Sequence, residues 1–188
     1  MNEVKRFNKL LQPDKSILLV IDIQEKILPV IKDHQQVVVN TLKLIKGFKV
    51  LDIPVFYTEQ YPKGLGHTLP EIKNELGESE LFEKMSFSCS GAGNLFSKFD
   101  ELKRNQIIVC GIEAHVCVQQ TVLDLLENNF QVNVAADAVS SRKEKDSSVA
   151  LNRMENLGAE ITTTESILFE LLNVCGTDQF KQISKIVK

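Results

Sequence analysis

Cysteine is sparse in this sequence and is not arranged as a framework. Cys89, Cys110, Cys117 and Cys175 are four among 188 residues and form no C-x-x-C pair, so neither a disulfide scaffold nor a zinc knuckle is expected. No apolar run approaches the ~20 residues that a membrane-spanning helix needs. The opening stretch MNEVKRFNKLLQPDKS lacks the apolar core and small-residue cleavage site of a signal peptide. A cytoplasmic protein with no membrane partner is expected. An excess of positive charge is also missing: 22 Lys and Arg stand against 25 Asp and Glu, a formal net charge of -3, which disfavours nucleic acid as a partner. Neither G-x-G-x-x-G nor G-x-x-x-x-G-K-[ST] follows any predicted strand, so a nucleotide enzyme on a Rossmann-like sheet lacks its phosphate loop.

The chain is 43% hydrophobic and 25% charged, enough apolar content for one substantial core, and 1–188 reads as a single domain without repeats or linkers. Short runs rich in Val, Ile and Leu at 17–23, 54–58, 106–110 and 131–136 predict buried parallel strands, with a weaker fifth at 159–163. Between them, apolar stripes predict helices over 35–51 (Val38, Leu42, Ile45, Phe48) and 114–127 (Val118, Val122, Leu125), followed by 145–157 and 165–174. Alternating strand and helix predicts a three-layer α/β/α sandwich around a mostly parallel central sheet. The stretch 59–93 reads as a long irregular loop, which in a compact domain is usually functional.

Ligands of open parallel sheets bind beyond the carboxyl ends of the strands. Asp22 ends the first strand, Glu59 and Gln60 follow the second, 111–117 follow the third, and Asp137 follows the fourth. Asp22 is either a solvated strand end or a reactive carboxylate. Cys117 is either a small core residue on the stripe of Thr121 and Leu125 or a nucleophile at a helix start, where the helix dipole favours the thiolate. Cys110, inside a strand, is expected to be inert, and Cys89, in SFSCSG, to sit exposed in a loop. His115 offers a Cys-His pairing, weighed below an aspartate-lysine scheme because residues two apart at a helix start face different ways. Ser140, Ser141 and Arg142 read as a capped turn.

Three segments in register with these strand ends, VIDIQ, EKMSFS and GIEAHVC, resemble the signatures of the isochorismatase-like cysteine hydrolases, and TEQYPKGLG and DAVSSR resemble isochorismatase domain-containing proteins. The likeness runs over residues 16–172. It implies a triad in which Asp22 takes the thiol proton, Lys84 binds aspartate and thiolate together, and Cys117 attacks. Lys84 without that likeness would read as a solvated charge. The resemblance also implies a cis peptide between Ile112 and Glu113, with the N–H groups of Glu113 and Cys117 forming an oxyanion hole. Nicotinamidases of the superfamily carry an Asp-x-His element and further histidines for a metal. Here that stretch is YTEQYPKGLGHT with His67 alone, so no metal and no cofactor are expected, and Glu59, Gln60, Tyr61, Phe87 and Ile112 become the candidate substrate-binding residues.

The functional expectation is hydrolysis of a small amide or related C–N compound through a thioester, by a homo-oligomer. The apolar C-terminal helices around Leu168, Leu171, Leu172 and Ile186 offer an interface, or a cover for the sheet. The alternative is a non-catalytic oligomeric binding protein that retains the hydrolase fold.

Overall fold

The computed structural model describes residues 5–188; the first four positions of the expected domain and of the N-terminal stretch lie outside them. Six strands, β1 (Ser16–Ile21), β2 (Val55–Gln60), β3 (Glu80–Lys84), β4 (Gln106–Ile112), β5 (Gln131–Ser140) and β6 (Glu160–Thr162), form one sheet. Its order is β3-β2-β1-β4-β5-β6, and every neighbouring pair is parallel.

The four strong apolar runs give β1, β2, β4 and β5, and the weak one gives β6. β3 falls inside the stretch expected to be irregular. It lies at the sheet's edge and its sequence ELFEK is mostly charged, with only Phe82 and Lys84 buried, so it carries no apolar run. That same stretch holds helices α2 (Pro62–Leu65) and α3 (Pro70–Leu76), both opened by proline at the start of the first turn, where its missing N–H costs nothing.

The remaining helices are α1 (His34–Val50), α4 (Leu95–Glu101), α5 (Gln119–Glu127), α6 (Glu144–Asn156), α7 (Thr164–Leu172) and α8 (Asp178–Val187). Because successive strand residues point to opposite faces, β1 splits its side chains between two cores. Leu18 and Val20 pack with Leu44, Ile45 and Phe48 of α1 and with Leu168 of α7. Ile17, Leu19 and Ile21 pack with Phe99 of α4, Val122 of α5 and Met154 of α6. The result is the three-layer α/β/α sandwich. The C-terminal helices cover the first of these faces: Leu168, Leu171, Leu172 and Ile183 are buried in it and Ile186 packs against it.

Two chain turns set up the carboxyl end of the sheet. After β1 the backbone enters the left-handed region at Asp22 (φ 53°), which aspartate tolerates better than most residues. In β4, Gly111 has φ 121° and lies so close to β1 that a Cβ there would stand 2.0 Å from the Ile21 carbonyl oxygen. Only glycine fits. Asp137, expected to end a strand above the site, lies within β5 and instead accepts hydrogen bonds from the N–H and hydroxyl of Thr164 (2.8 and 3.0 Å) at the start of α7.

Candidate active site

The strand order reverses between β1 and β4, and a cavity of about 80 Å³ opens beyond their carboxyl ends. Asp22, Gln60, Phe87, Ile112, Glu113 and Cys117 line it together with Ile27, Leu65 and Val116.

Lys84 lies at the centre of the polar side. It ends β3, is fully buried as a side chain, and donates to Asp22 Oδ2 at 2.6 Å. It also donates to Gln60 Oε1 (2.9 Å) and to the carbonyls of Phe87 (3.0 Å) and Ser86 (3.3 Å). Burial pulls its ammonium towards neutrality, but the Asp22 carboxylate, with the thiols of Cys89 and Cys117, outweighs that and holds its pKa above the ordinary lysine value. The other Asp22 oxygen accepts from Thr58 Oγ1 at 2.6 Å. Both carboxylate oxygens are therefore hydrogen-bonded, as a buried charge requires.

Cys117 reaches the cavity from the turn after β4. The helix expected over 114–127 is not uniform: Ala114–Val118 form a π turn, in which Val118 N–H donates to the Glu113 carbonyl at 3.2 Å, and α5 begins only afterwards. Such wide turns recur at functional sites. The peptide between Ile112 and Glu113 is cis. Glu113, which also lines the cavity, has its carboxylate held by the backbone N–H (3.2 Å) and Nε (3.0 Å) of Arg142. The expected capped turn at 140–142 thus does different work, since Ser141 Oγ pairs with His115 Nδ1 at 2.9 Å and engages that histidine away from the cavity lining.

One expectation is corrected here. A helix start predicts a thiol that favours its thiolate, yet Cys117 is only 7% exposed, and burial, reinforced by the negative Asp22, pushes its thiol up against the opposing pull of Lys84. The ammonium is already neutralised by Asp22, so the sulfur sees a nearly neutral pair in a poorly solvated place. Cys89 is a second correction. It is fully buried rather than exposed, its thiol lies 3.9 Å from Thr58 Oγ1, and burial first, then Asp22, raises it to about 12. Cys110 is buried in β4 as expected and is likewise raised to about 12 by burial.

Of the candidate substrate residues, Gln60, Phe87 and Ile112 line the cavity. Glu59 does not. It points to the other side of β2, where it accepts from the N–H (2.7 Å) and hydroxyl (2.8 Å) of Thr68 and contacts His67 Nδ1 at 2.9 Å. Burial works to raise its pKa, but the hydrogen bonds from Thr68 and His67 hold it below the ordinary value. Its work is to fasten the segment 61–69 that carries Leu65. Tyr61 does not line the cavity either: it is half exposed at the start of α2 with φ 40°. Sequence reasoning missed Ile27, Leu65 and Val116, which carry no chemical signal, and Thr58 and Gln24. Gln24 Nε2 donates to the carbonyls of Gln60 (3.0 Å) and Gly66 (2.6 Å), and its Oε1 accepts from Gln60 N–H (2.8 Å), which ties the 61–69 segment to β2. Among the described residues, no group of three or more His, Cys, Asp or Glu is placed to hold a metal ion, and no helix is long and apolar enough to cross a membrane.

A family model described as the isochorismatase domain matches residues 16–166. The isochorismatase domain-containing protein 2A of Mus musculus is 41% identical over 178 residues, which cover 94% of this chain and 84% of that protein. The structure of the MAR1 ribonuclease from Caenorhabditis elegans superposes with a TM-score of 0.88 at 39% identity, over 94% of this chain and 91% of that one. The octameric hydrolase YcaC of Escherichia coli shares the fold with a TM-score of 0.89 at 22% identity, over 97% of this chain and 91% of that chain.

Proposed function

The chain belongs to the isochorismatase domain family, and from that premise we propose that it is a cysteine-dependent hydrolase of small amides or related C–N compounds. The observation that carries this reading is that Cys117 and Asp22 line one cavity while the buried Lys84 grips the Asp22 carboxylate at 2.6 Å. A general base held by a cation beside a thiol is the arrangement that nucleophilic catalysis needs.

The raised thiol fits a mechanism in which the proton moves only when substrate is present. Asp22 takes the proton from Cys117 as sulfur bonds to the carbonyl carbon, and the anion passes from carboxylate to substrate oxygen while Lys84 stays protonated. Counted together with the substrate, the trio keeps its net charge throughout: the negative charge moves from the carboxylate to the substrate oxygen and no additional charge is buried. The N–H groups of Glu113 and Cys117 donate to the tetrahedral oxyanion, a contribution of about 3–4 kcal/mol per donor in well-aligned cases. Asp22 returns the proton to the leaving nitrogen, the C–N bond breaks, and a thioester remains on Cys117. Water then attacks that carbonyl, giving a proton to Asp22, and the acid leaves as the thiol is restored. Gln60, Phe87 and Ile112 contact the substrate.

The working unit is one hydrolase domain over 1–188, needing no metal or cofactor, and prolonged chelation should leave turnover unchanged. Its octameric relative in fold supports assembly as a homo-oligomer. Four free thiols suit a reducing compartment, so the cytoplasm is the proposed location, with no membrane or nucleic-acid partner. The ribonuclease name of one relative would call for a groove that admits a polymer. A cavity of about 80 Å³ on a chain of net charge -3 supports a small molecule instead. The test is a panel of metabolite amides and carbamates, read by acid release and by mass spectrometry of acylated Cys117. Release of acid with an adduct on Cys117 is the expected result. If no compound is turned over and no adduct forms, the non-catalytic binding protein replaces this reading.

A further inference from the structure

The polar groups around the cavity are already committed to one another. Lys84 spends its protons on Asp22, Gln60 and the carbonyls of Ser86 and Phe87. Both ends of the Gln60 amide are engaged, the oxygen by Lys84 and the nitrogen by the Met85 carbonyl at 2.9 Å. The Glu113 carboxylate is paired with Arg142, whose side chain is more than half exposed and does not line the cavity. A ligand carboxylate entering here would meet no cation free to receive it, while losing its hydration.

The remaining wall is apolar: the aliphatic side chains of Ile27, Leu65, Ile112 and Val116, with the ring of the half-exposed Phe87. Its size is limiting as well. About 80 Å³ is roughly half the ~150 Å³ of an apolar cavity that admits benzene, which leaves room for about two to four carbons.

We propose that this cavity selects uncharged amides with a short aliphatic acyl group, and that Ile27, Leu65 and Val116 set the length accepted. This deepens the hydrolase reading and rests on it for the chemistry. Anionic and aromatic amides are rejected, the former for want of a free cation and the latter for want of space. Two of the selecting residues, Ile27 and Leu65, stand on segments outside the sheet, joined by the Lys26 N–H to Leu65 carbonyl bond at 3.1 Å. Acyl length is therefore tuned from that side.

The test has two independent arms. In the first, acetamide, propionamide, butyramide, benzamide and succinamate are compared by kcat/KM. The neutral aliphatic amides should exceed the aromatic and anionic ones by about tenfold or more, and Leu65→Ala should move the optimum to a longer chain. In the second, Cys117 is alkylated with iodoacetamide or iodoacetate and mapped against Cys175, an exposed free thiol of the same chain that serves as internal reference. The preference for the uncharged reagent should be about tenfold greater at Cys117 than at Cys175. Succinamate or benzamide as the best substrate, or equal reagent preference at the two thiols, overturns the proposal. If no amide is hydrolysed but the alkylation preference holds, the selectivity stands and the hydrolase reading is what fails.

Discussion

The two ends of the sheet both bury polar side chains, and they do it differently. At the amino end, Gln106 of β4 accepts from Gln12 N–H (2.8 Å) and Ser16 Oγ (3.3 Å) and donates to the Leu10 carbonyl (3.2 Å) and Gln131 Oε1 (3.1 Å). Every partner is neutral, and the network ties the N-terminal segment to the sheet. At the carboxyl end, Asp22 and Cys117 bring a charge and a thiol to the wall of a cavity, and the fully buried Lys84 supplies the opposite charge behind Asp22. Satisfying a neutral amide needs only matched donors and acceptors, whereas burying an ion pair carries a desolvation cost that its attraction repays only in part. A fold that needed only stability had the amino-end solution available, so the charged arrangement at the other end is better explained by chemistry.

The sharpest way to break this contrast is to remove the sulfur. Cys117→Ala should lower turnover by ~10⁴-fold or more with little change in thermal midpoint, measured on an amide that the wild type hydrolyses. Full activity in that variant would dissolve the distinction between the two ends. Next in size, Lys84→Met leaves the Asp22 carboxylate buried without its counter-ion and should cost about 3–5 kcal/mol in denaturant unfolding. Adding Asp22→Asn should return most of that stability but none of the activity, separating the fold's use of the pair from the enzyme's. At the opposite end, Gln106→Ala strands the Gln12 N–H and the Leu10 carbonyl. It should cost about 1–3 kcal/mol and leave kcat where it was.

The smallest expected effect is on pH dependence. Cys89 and Cys110 are both raised to about 12 in the folded chain. Below the ordinary thiol pKa of about 8.5 both folded and unfolded chains keep these protons. Above it the unfolded chain releases them first, so stability should decline as pH rises from there towards 12. Cys110→Ala should flatten that decline, compared by urea midpoints at neutral and alkaline pH. An unchanged slope would mean that these thiols are not the groups responsible.

Much of this was legible in the sequence because strand interiors are written in Val, Ile and Leu, and because three of the polar positions interrupt or end those runs. Asp22 follows SILLVI, Gln60 closes VFYTEQ, and the turn carrying Cys117 follows QIIVCGI. β3 escaped for the opposite reason: an edge strand buries one side only, and Lys84 looks solvated until Asp22 is seen across two strands. The neighbours Glu59 and Gln60 show a second limit. Both follow an apolar run, but strand alternation sends Gln60 to the cavity and Glu59 to Thr68, and a strand boundary misplaced by two residues hides which is which. The thiol's direction of shift was not readable from sequence at all, since it depends on how completely Asp22 neutralises Lys84 in a buried setting. The aliphatic wall carried no signal because Ile27, Leu65 and Val116 are ordinary residue types.

Gly111 bears on how such a site can change over generations. Its contact with Ile21 leaves no room for any side chain, so the seam between β1 and β4, which fixes the spacing of Asp22 from Ile112 and Glu113, is closed to variation. Ile27 and Leu65 sit on segments that do not belong to that seam and can exchange for larger or smaller residues without shifting it. Mutational drift in a lineage is thereby channelled: substrate preference is free to diversify on one flank while the reacting groups are held at constant separation on the other.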